Sequence, residues 1–402
     1  MAALKSLRIC NYKAFADTTF EPDEGGLTIL IGNNGSGKTS LWEVLSLLSR
    51  LASDWQVRWL EFQFNGRGRN FVGCLPWHQS DREMLIEMTL RGDGRGPSSA
   101  ANELAYRVGW SANPETGLPE LTTEEAVCNG KELLRFDRTT GRYSPDQSSG
   151  VRWHFLERNY PLLLSSVGRQ VLANTRFAWV KAMFDEVAAW NPHRFRVLDL
   201  GKDFGDLDIT KGPLDRLTII GTNLAPLLHA WKEAPDRWPF ETLRSRIRLV
   251  LDRAGMERAD WDVRTEVAGA VAYAFVRFRE LAGEGRNGRW FDLAFAPDGF
   301  KAFFLLATAL LSDSPLILLE EPECHLEPRM LDLVADMMKQ AAKGGHHVVA
   351  TSHSPVLAQH LDPACIRILR SGRFLRVPVE VREGKDLVAA WLTDILDERG
   401  EG

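Results

Sequence analysis

The sequence lacks any long uninterrupted hydrophobic run. Its most apolar segment, residues 300–311, is shorter than the roughly 18 to 20 residues that a helix needs to cross a bilayer. The first eleven residues already carry Lys5 and Arg8 and lead into an alternating pattern, which is not the pattern of a secretory signal peptide. We therefore expect a cytoplasmic protein with no membrane partner.

Cysteine is scarce, and neither sign of charge is in large excess. Only 5 of the 402 residues are cysteines, and they are too far apart for a zinc site or a disulfide framework, which agrees with a reducing compartment. The 49 basic residues nearly balance the 54 acidic ones, for a net charge of −5. This balance gives no general attraction to nucleic acid or to an anionic membrane.

The two ends of the chain share an alternation of short apolar strands and amphipathic helices. Residues 27–31 predict a buried strand, and the apolar positions after Thr39 repeat at helical spacing. Near the other end, residues 316–319 and 347–351 predict strands, and residues 328–343 predict a helix. Residues 366–369 and 374–377 predict a hairpin that turns at Ser371-Gly372, and a final amphipathic helix is predicted near residues 387–396. Strands that alternate with helices in this way are typical of an α/β protein.

The middle of the chain has a different pattern. Short strands separated by turns are predicted at residues 84–90, 104–110 and 133–137, and helical spacing dominates from 160 to 250. No internal repeat and no long heptad run occurs. The predicted organisation is an α/β core assembled from residues 1–60 and 288–402, a β-rich subdomain at 61–150 and a mostly helical lobe at 151–287.

Residues 32–39 read G-N-N-G-S-G-K-T and match the phosphate loop G-x-x-x-x-G-K-[ST]. The match lies between a predicted strand and a predicted helix, where backbone N–H groups can surround a β-phosphate. Lys38 is expected at the β- and γ-phosphates, and the Thr39 hydroxyl at Mg²⁺. A simple glycine turn is the alternative, which this context disfavours. The predicted nucleotide-binding residues are Gly32, Asn33, Asn34, Gly35, Ser36, Gly37, Lys38, Thr39 and Ser40.

The predicted strand at residues 316–319 runs directly into two carboxylates. In phosphate-loop enzymes the first carboxylate at such a strand end binds the Mg²⁺ ion with its water ligands, and a second one next to it can polarise the attacking water. We therefore expect Glu320 to bind the metal and Glu321 to be catalytic. An acidic cap before a helix is the alternative. His353 follows the next strand and is expected at the same edge, near the γ-phosphate or the water, although a lone histidine is often structural.

These residues resemble the ATP-binding-cassette-like AAA family of ATPases, which is related to RecF, to the structural maintenance of chromosomes (SMC) proteins and to the OLD group. The resemblance is carried by I-C-N-Y-K-A-F at residues 9–15, E-E-P-E-C-H-L-E-P at 320–328, T-S-H-S-P at 351–355 and G-T-N-L-A at 221–225. It implies an α/β phosphate-loop fold of the ABC head type, with ATP and Mg²⁺ as ligands.

The resemblance also implies that two heads dimerise head-to-tail around ATP. The family's signature loop corresponds to Pro297-Asp298-Gly299, with proline where the family has serine. Asp298 and Gly299 are therefore expected to meet a nucleotide on a partner subunit through the helix that follows. About 50 residues follow His353, which is too few for the TOPRIM nuclease domain of full OLD enzymes. A nuclease or toxin-like effector is then expected to be a separate chain.

The function predicted from the sequence is an ATPase that dimerises on ATP and acts in DNA repair, DNA handling or phage defence with a partner protein. DNA is a further candidate partner. The alternative is a nucleotide-gated scaffold with little hydrolysis that holds or releases an effector, and Pro297 favours it. The sequence leaves two interpretations open for the arginines on a predicted helix, which are Arg244, Arg246 and Arg248. They contact phosphates, or they form ion pairs within the chain.

Overall fold

A computed structural model describes most of the chain. The described residues are 2–53, 71–75, 83–92, 103–137, 142–145, 178–193, 207–208, 216–218, 221–253, 259–268, 271–280 and 289–377. They form two compact units. The first unit contains the described residues within Met1–Glu24, Leu30–Trp190 and Arg367–Val377, and the second contains those within Gly25–Ile29 and Asn191–Ile366.

The helices and strands of the described residues are numbered in chain order. The strands are β1 (Ala2–Tyr12), β2 (Phe15–Phe20), β3 (Leu27–Ile31), β4 (Met84–Gly92), β5 (Glu103–Ala112), β6 (Pro119–Cys128), β7 (Lys131–Asp137), β8 (Arg142–Pro145), β9 (Asn191–His193), β10 (Leu207–Asp208), β11 (Ala259–Ala268), β12 (Val271–Glu280), β13 (Trp290–Asp292), β14 (Leu316–Glu320), β15 (His347–Ser352), β16 (Ile366–Arg370) and β17 (Arg373–Arg376). The helices are α1 (Lys38–Ser53), α2 (Ala178–Ala188), α3 (Leu224–Glu233), α4 (Trp238–Arg253), α5 (Asp298–Leu311), α6 (Leu331–Lys343) and α7 (Pro355–Gln359).

An antiparallel sheet of order β2-β1-β4-β5-β6-β7-β8 dominates the first unit. Buried and half-buried residues alternate along β4, because successive side chains of a strand point to opposite faces of the sheet. Helix α2 covers the buried face, where the rings of Tyr106 and Phe184 meet edge to face at 5.4 Å. Helix α1 lies beside α2, and the Ser49 hydroxyl donates to the Trp190 carbonyl.

The first unit also holds the β16–β17 hairpin, whose two strands pair antiparallel. Ser371 and Gly372 form its tight turn with φ of 46° and 73°, the left-handed conformation that two-residue hairpin turns require. Phe374 of β17 packs between Phe15 and Phe20, with ring centroids 6.0 and 5.2 Å away. The sequence analysis predicted this hairpin and its turn, and both are confirmed.

Parallel strands form the centre of the second unit. β14 pairs in parallel with β15 on one side and β9 on the other, and β3 follows β15 in the strand order. The first four residues of β14 are buried, as expected for a parallel strand covered on both faces. Helix α5 is buried along almost its whole length, which explains why its sequence is apolar on all sides.

A long antiparallel hairpin, β11–β12, forms a second sheet in this unit, with β10 and β13 paired to β12. Trp261 of β11 meets Phe304 of α5 edge to face at 4.8 Å, and Phe278 of β12 lies 4.9 Å from Phe300. The hairpin falls in the segment predicted to be mostly helical. Helices α2, α3 and α4 occur there, but the sequence analysis did not predict these two strands.

The α/β fold class predicted from the sequence is confirmed, and so are the strands expected at both ends of the chain. Strand β6 was not predicted, although it lies between β5 and β7 in the sheet. The helix expected near residues 387–396 lies outside the described residues. Within the part of the chain that the structure describes, no helix is both long enough and apolar enough to span a membrane.

Candidate nucleotide-binding site

The predicted phosphate loop lies in the first unit, between β3 and α1. Gly35 and Gly37 have φ of 79° and 115°, which L-amino acids rarely adopt. A Cβ on Gly32 would lie 2.2 Å from the Leu369 carbonyl oxygen, and one on Gly37 would lie 3.1 Å from the Phe15 ring. The glycines of the motif are therefore required by backbone conformation and by close packing.

Lys38 is the first residue of α1 and is buried. Its Nζ donates to the carbonyl oxygens of Gly32 at 2.5 Å and Asn33 at 3.0 Å, so the ammonium lies across the loop. Thr39 is exposed in the first turn of the helix. The buried Ser36 hydroxyl has no hydrogen-bond partner among the described residues. The loop thus offers a positive charge, a helix N-terminus and an unsatisfied hydroxyl, which are groups that can bind a polyphosphate.

The β16–β17 hairpin braces the phosphate loop within the first unit. The Gly372 N–H donates to the Ser36 carbonyl at 3.1 Å, and the Thr18 hydroxyl donates to the Gly372 carbonyl at 2.6 Å. A Cβ on Gly372 would lie 2.2 Å from the Ala14 carbonyl oxygen. The sequence predicted the turn but not its contact with the loop, because no local pattern reports which distant turn packs there.

The acidic strand end lies in the second unit. Glu320 closes β14 opposite Thr351 of β15, and the Glu321 N–H donates to the Thr351 carbonyl at 2.9 Å. The His353 Nε2 atom is 3.3 Å from the Glu321 Oε1 atom. The structure thus brings the two predicted catalytic side chains together at the carboxyl ends of adjacent parallel strands, as the sequence analysis expected.

Glu321 begins a strained turn. Its φ is 49°, and that of His325 is 67°, a conformation that costs about 1 kcal/mol or more in a non-glycine residue and often marks a functional site. The Cys324 N–H donates to the Glu321 carbonyl at 3.0 Å, and its thiol lies 3.3 Å from a Glu321 carboxylate oxygen. Burial together with this carboxylate raises the pKa of Cys324 to about 12.

Asp298 and Gly299 lie at the start of α5 in the second unit. Pro297 occupies the N-cap position and makes no side-chain cap hydrogen bond, while exposed Asp298 forms an ion pair with Lys301 at 2.8 Å. A Cβ on Gly299 would lie 2.8 Å from the His325 carbonyl oxygen. The glycine is therefore needed for packing within its own chain, and its contact with a partner's nucleotide stays a prediction.

The arginines of α4 have partners within the chain. Arg244 lies 3.8 Å from Asp260, and Arg248 lies 3.1 Å from Asp252. Arg246 donates to the Gln340 side chain. Of the two alternatives left open by the sequence, these contacts favour intrachain pairing.

Two family models match the chain. One, described as "AAA ATPase domain", matches residues 3–74. The other, described as "AAA domain, putative AbiEii toxin, Type IV TA system", matches residues 226–358. The first match contains the phosphate loop, and the second contains the acidic strand end and His353.

The hemin import ATP-binding protein HmuV of Streptomyces coelicolor (strain ATCC BAA-471 / A3(2) / M145) is 37% identical over 120 residues, which are 30% of this chain and 39% of that protein. The matched region thus spans about two-fifths of the relative's length.

Two solved structures of SMC heads share the fold over 94% of this chain. An SMC head bound to the C-winged helix domain of ScpA has a TM-score of 0.53 at 15% identity, with 98% of its own length covered. A head with an extended coiled coil, bound to the C-terminal domain of ScpA derived from Pyrococcus furiosus, has a TM-score of 0.53 at 13% identity, with 97% covered. The chain is thus similar to AAA ATPase domains over the two matched segments, to a hemin import ATP-binding protein over 120 residues, and to SMC heads in its fold.

Proposed function

We propose that this protein binds ATP with Mg²⁺ and hydrolyses it. The observation that carries the proposal is the phosphate loop, in which the Lys38 ammonium lies across the backbone at the start of α1. Residues Gly32 to Ser40 would hold the phosphates, with Lys38 neutralising their charge. The ABC-like relative and the two AAA family matches support the same ligand.

The proposed Mg²⁺ ligands are the Thr39 hydroxyl and the Glu320 carboxylate. Among the described residues no group of three or more His, Cys, Asp or Glu side chains could hold a metal ion by itself. A site that relies on phosphate oxygens and water for its other ligands is usual for Mg²⁺ bound with a nucleotide. The ion would neutralise charge on the transferred phosphoryl group.

Glu321 is the proposed residue that orients the attacking water. His353, 3.3 Å from its carboxylate, would contact the γ-phosphate or the same water. A positioned carboxylate of this kind contributes about 10²- to 10⁴-fold to a rate.

We further propose that ATP drives head-to-tail dimerisation, with Asp298 and Gly299 at the start of α5 facing a nucleotide on the partner. The biological role would be DNA repair, DNA handling or phage defence in the cytoplasm, together with a separate effector. The SMC heads of the same fold were solved with a bound partner, ScpA, and the description of one family match refers to a toxin system.

A nucleotide-gated scaffold with little hydrolysis is the second candidate. The observation that favours it is Pro297, which provides no side-chain hydroxyl or cap at the position where the family has serine. In that case the protein would bind ATP and dimerise, but ATP turnover would be close to zero.

The test compares Lys38→Ala with Lys339→Ala, which removes a partly exposed lysine that forms an ion pair with Asp336 three positions earlier in α6. Nucleotide affinity is measured with a fluorescent ATP analogue, turnover by phosphate release, and folding by thermal unfolding. Lys38→Ala should lose at least a hundredfold in affinity, and Lys339→Ala should behave as wild type. A folded Lys38→Ala protein that binds ATP normally would overturn the proposal, whereas binding without turnover in the wild type would favour the scaffold.

A further inference from the structure

Glu323 is a carboxylate without a role in the chemistry proposed above. It lies two residues after Glu321 in the same turn, and its side chain is directed at the segment that carries His353. Its Oε1 atom accepts from the Ser352 hydroxyl at 2.8 Å and from the His353 backbone N–H at 2.8 Å. One oxygen therefore holds the peptide unit on which the imidazole is mounted.

The segment held by Glu323 is a short junction between two elements. β15 ends at Ser352 and α7 begins at Pro355. The Ser352 hydroxyl also accepts from the Ser354 N–H at 2.9 Å, and the Ser354 hydroxyl caps α7 by accepting from the Leu357 N–H at 3.3 Å. Glu323 thus anchors a continuous chain of hydrogen bonds from its own turn to α7.

The turn holds His353 from two sides. Glu321 contacts the imidazole at 3.3 Å, while Glu323 fixes the backbone N–H of the same histidine. The left-handed backbone of Glu321 begins this turn, which directs both carboxylates toward one residue. Both carboxylates of the turn therefore contact His353.

The environment of Glu323 differs from that of a surface glutamate. Its Oε2 atom is buried and has no hydrogen-bond partner within the described residues. Burial raises the pKa of its carboxyl, and the nearby Glu321 charge acts in the same direction. Buried polar atoms without partners are uncommon and costly, so this residue carries a cost that a neutral surface side chain would avoid.

We propose that Glu323 is a positioning residue for ATP hydrolysis, which holds His353 in place against Glu321 through its bonds to Ser352 and to the His353 N–H. The inference rests on the proposed ATPase function. Glutamine can supply the same acceptor oxygen, so Glu323→Gln should preserve the arrangement and Glu323→Ala should release it.

The first test measures ATP hydrolysis by full-length wild type, Glu323→Ala, Glu323→Gln, His353→Ala and the Glu323→Ala/His353→Ala double variant. Glu323→Ala should lower kcat by at least tenfold with the nucleotide Kd within about threefold, and Glu323→Gln should retain most of kcat. In the His353→Ala background, Glu323→Ala should cause no further loss, because residues that act through one another are not additive. Equal losses in both backgrounds, or no loss in either, would overturn the inference.

The second test does not depend on hydrolysis. Side-chain NMR of ¹⁵N-labelled histidine reports the imidazole of His353, identified by its absence in His353→Ala. Its resonance should shift in Glu323→Ala, while Glu323→Gln and the control Glu327→Ala should leave it in place. Glu327 is exposed and pairs with Arg329. An unmoved resonance in Glu323→Ala refutes the positioning role even if ATP is hydrolysed, and a shifted one supports it even if the proposed ATPase function fails.

Discussion

Partial burial and the carboxylate of Glu321 together favour the protonated form of the Cys324 thiol. Burial and this carboxylate raise the pKa of Cys324 to about 12, so the thiol is almost entirely protonated at pH 8. The thiolate is the reactive form of cysteine. Cys324 is exposed, but its thiol is therefore expected to react slowly with alkylating reagents.

Glu321→Gln should make Cys324 more reactive, because it removes the negative charge and the carboxylate acceptor that favour the protonated thiol. The expected increase in alkylation rate at pH 8 is about tenfold, corresponding to roughly one unit of pKa. The measurement is iodoacetamide labelling followed by peptide mass spectrometry, with buried Cys365 as the internal reference. Equal rates in wild type and Glu321→Gln would mean that the contact between the two side chains does not form.

Glu321→Gln should also separate nucleotide binding from hydrolysis. The amide keeps the shape of the side chain but cannot polarise water, so the rate should fall by about 10²- to 10⁴-fold. ATP affinity should be unchanged, and ATP-bound dimers should accumulate in light scattering after gel filtration. Normal hydrolysis by this variant would assign the general base to another residue, with His353 tested next.

Among individual residues, the sequence predicted those that belong to motifs but not those that support the motif residues. The proximity of Glu321 and His353 was predictable because both follow adjacent strands. The bonds from Glu323 to Ser352 and His353 join residues about 30 positions apart, and nothing in their local sequence indicates them. The left-handed φ of Glu321 was equally inaccessible, because glutamate rarely adopts it.

Among the elements, the β16–β17 turn has the clearest link to function. Gly372→Ala would place a Cβ 2.2 Å from the Ala14 carbonyl oxygen at a φ of 73°. The variant should lose about 2 kcal/mol or more of unfolding free energy through strain and steric overlap. It should also bind ATP several-fold more weakly, because the Gly372 N–H supports the Ser36 carbonyl.

Gly130→Ala is the matched control for this prediction. Gly130 has a similar φ of 78°, but no heavy atom lies within 4 Å of the Cβ position. Gly130→Ala should lose about 1–2 kcal/mol of unfolding free energy, which is the cost of the left-handed backbone in a residue with a Cβ. Its ATP affinity should be unchanged. Thermal unfolding and nucleotide titration measure both variants, and identical behaviour of the two would show that the hairpin does not support the loop.

The helices and strands were predictable where the apolar residues repeat with one clear spacing. The strands and helices at the chain ends have short apolar runs or a single buried helical face. β11 was missed although charged side chains such as Asp260, Asp262 and Arg264 alternate with its apolar ones, which is the pattern of a half-buried strand. The mostly helical assignment of residues 151–287 was extended over it. Those charges are paired across the structure, for example between Asp262 and Lys232 at 2.8 Å. Such tertiary pairing is invisible to a local pattern.

At the scale of the whole molecule, the start of α5 provides a test of dimerisation that leaves the fold intact. Pro297 is exposed at the N-cap, where Asp and Asn are both good capping residues. Pro297→Asn should therefore preserve ATP-dependent dimers. Pro297→Asp should prevent them, because its carboxylate would face the γ-phosphate of the partner's nucleotide. Light scattering with ATP and thermal unfolding compare the two, and equal dimerisation would refute the head-to-tail arrangement.

Mixing Pro297→Asp with Lys38→Ala tests whether each site is shared between subunits. Each variant alone should have little activity. A mixed dimer has one site with both defects and one site with neither, so the mixture should recover measurable hydrolysis. If the mixture stays as inactive as its components, each head would work with its own residues only.

The brace between the hairpin and the phosphate loop has a consequence for protein synthesis. The bond between Thr18 and Gly372 spans 354 positions in the chain, so the ribosome makes the loop long before it makes the turn that supports it. At about 5–20 residues per second, this interval lasts roughly 20 to 70 s. During it, a nascent chain has the complete phosphate-binding motif but lacks the backbone contact that fixes its shape. We therefore expect a chain that stops before residue 372 to bind ATP at least several-fold more weakly than the chain that includes the turn.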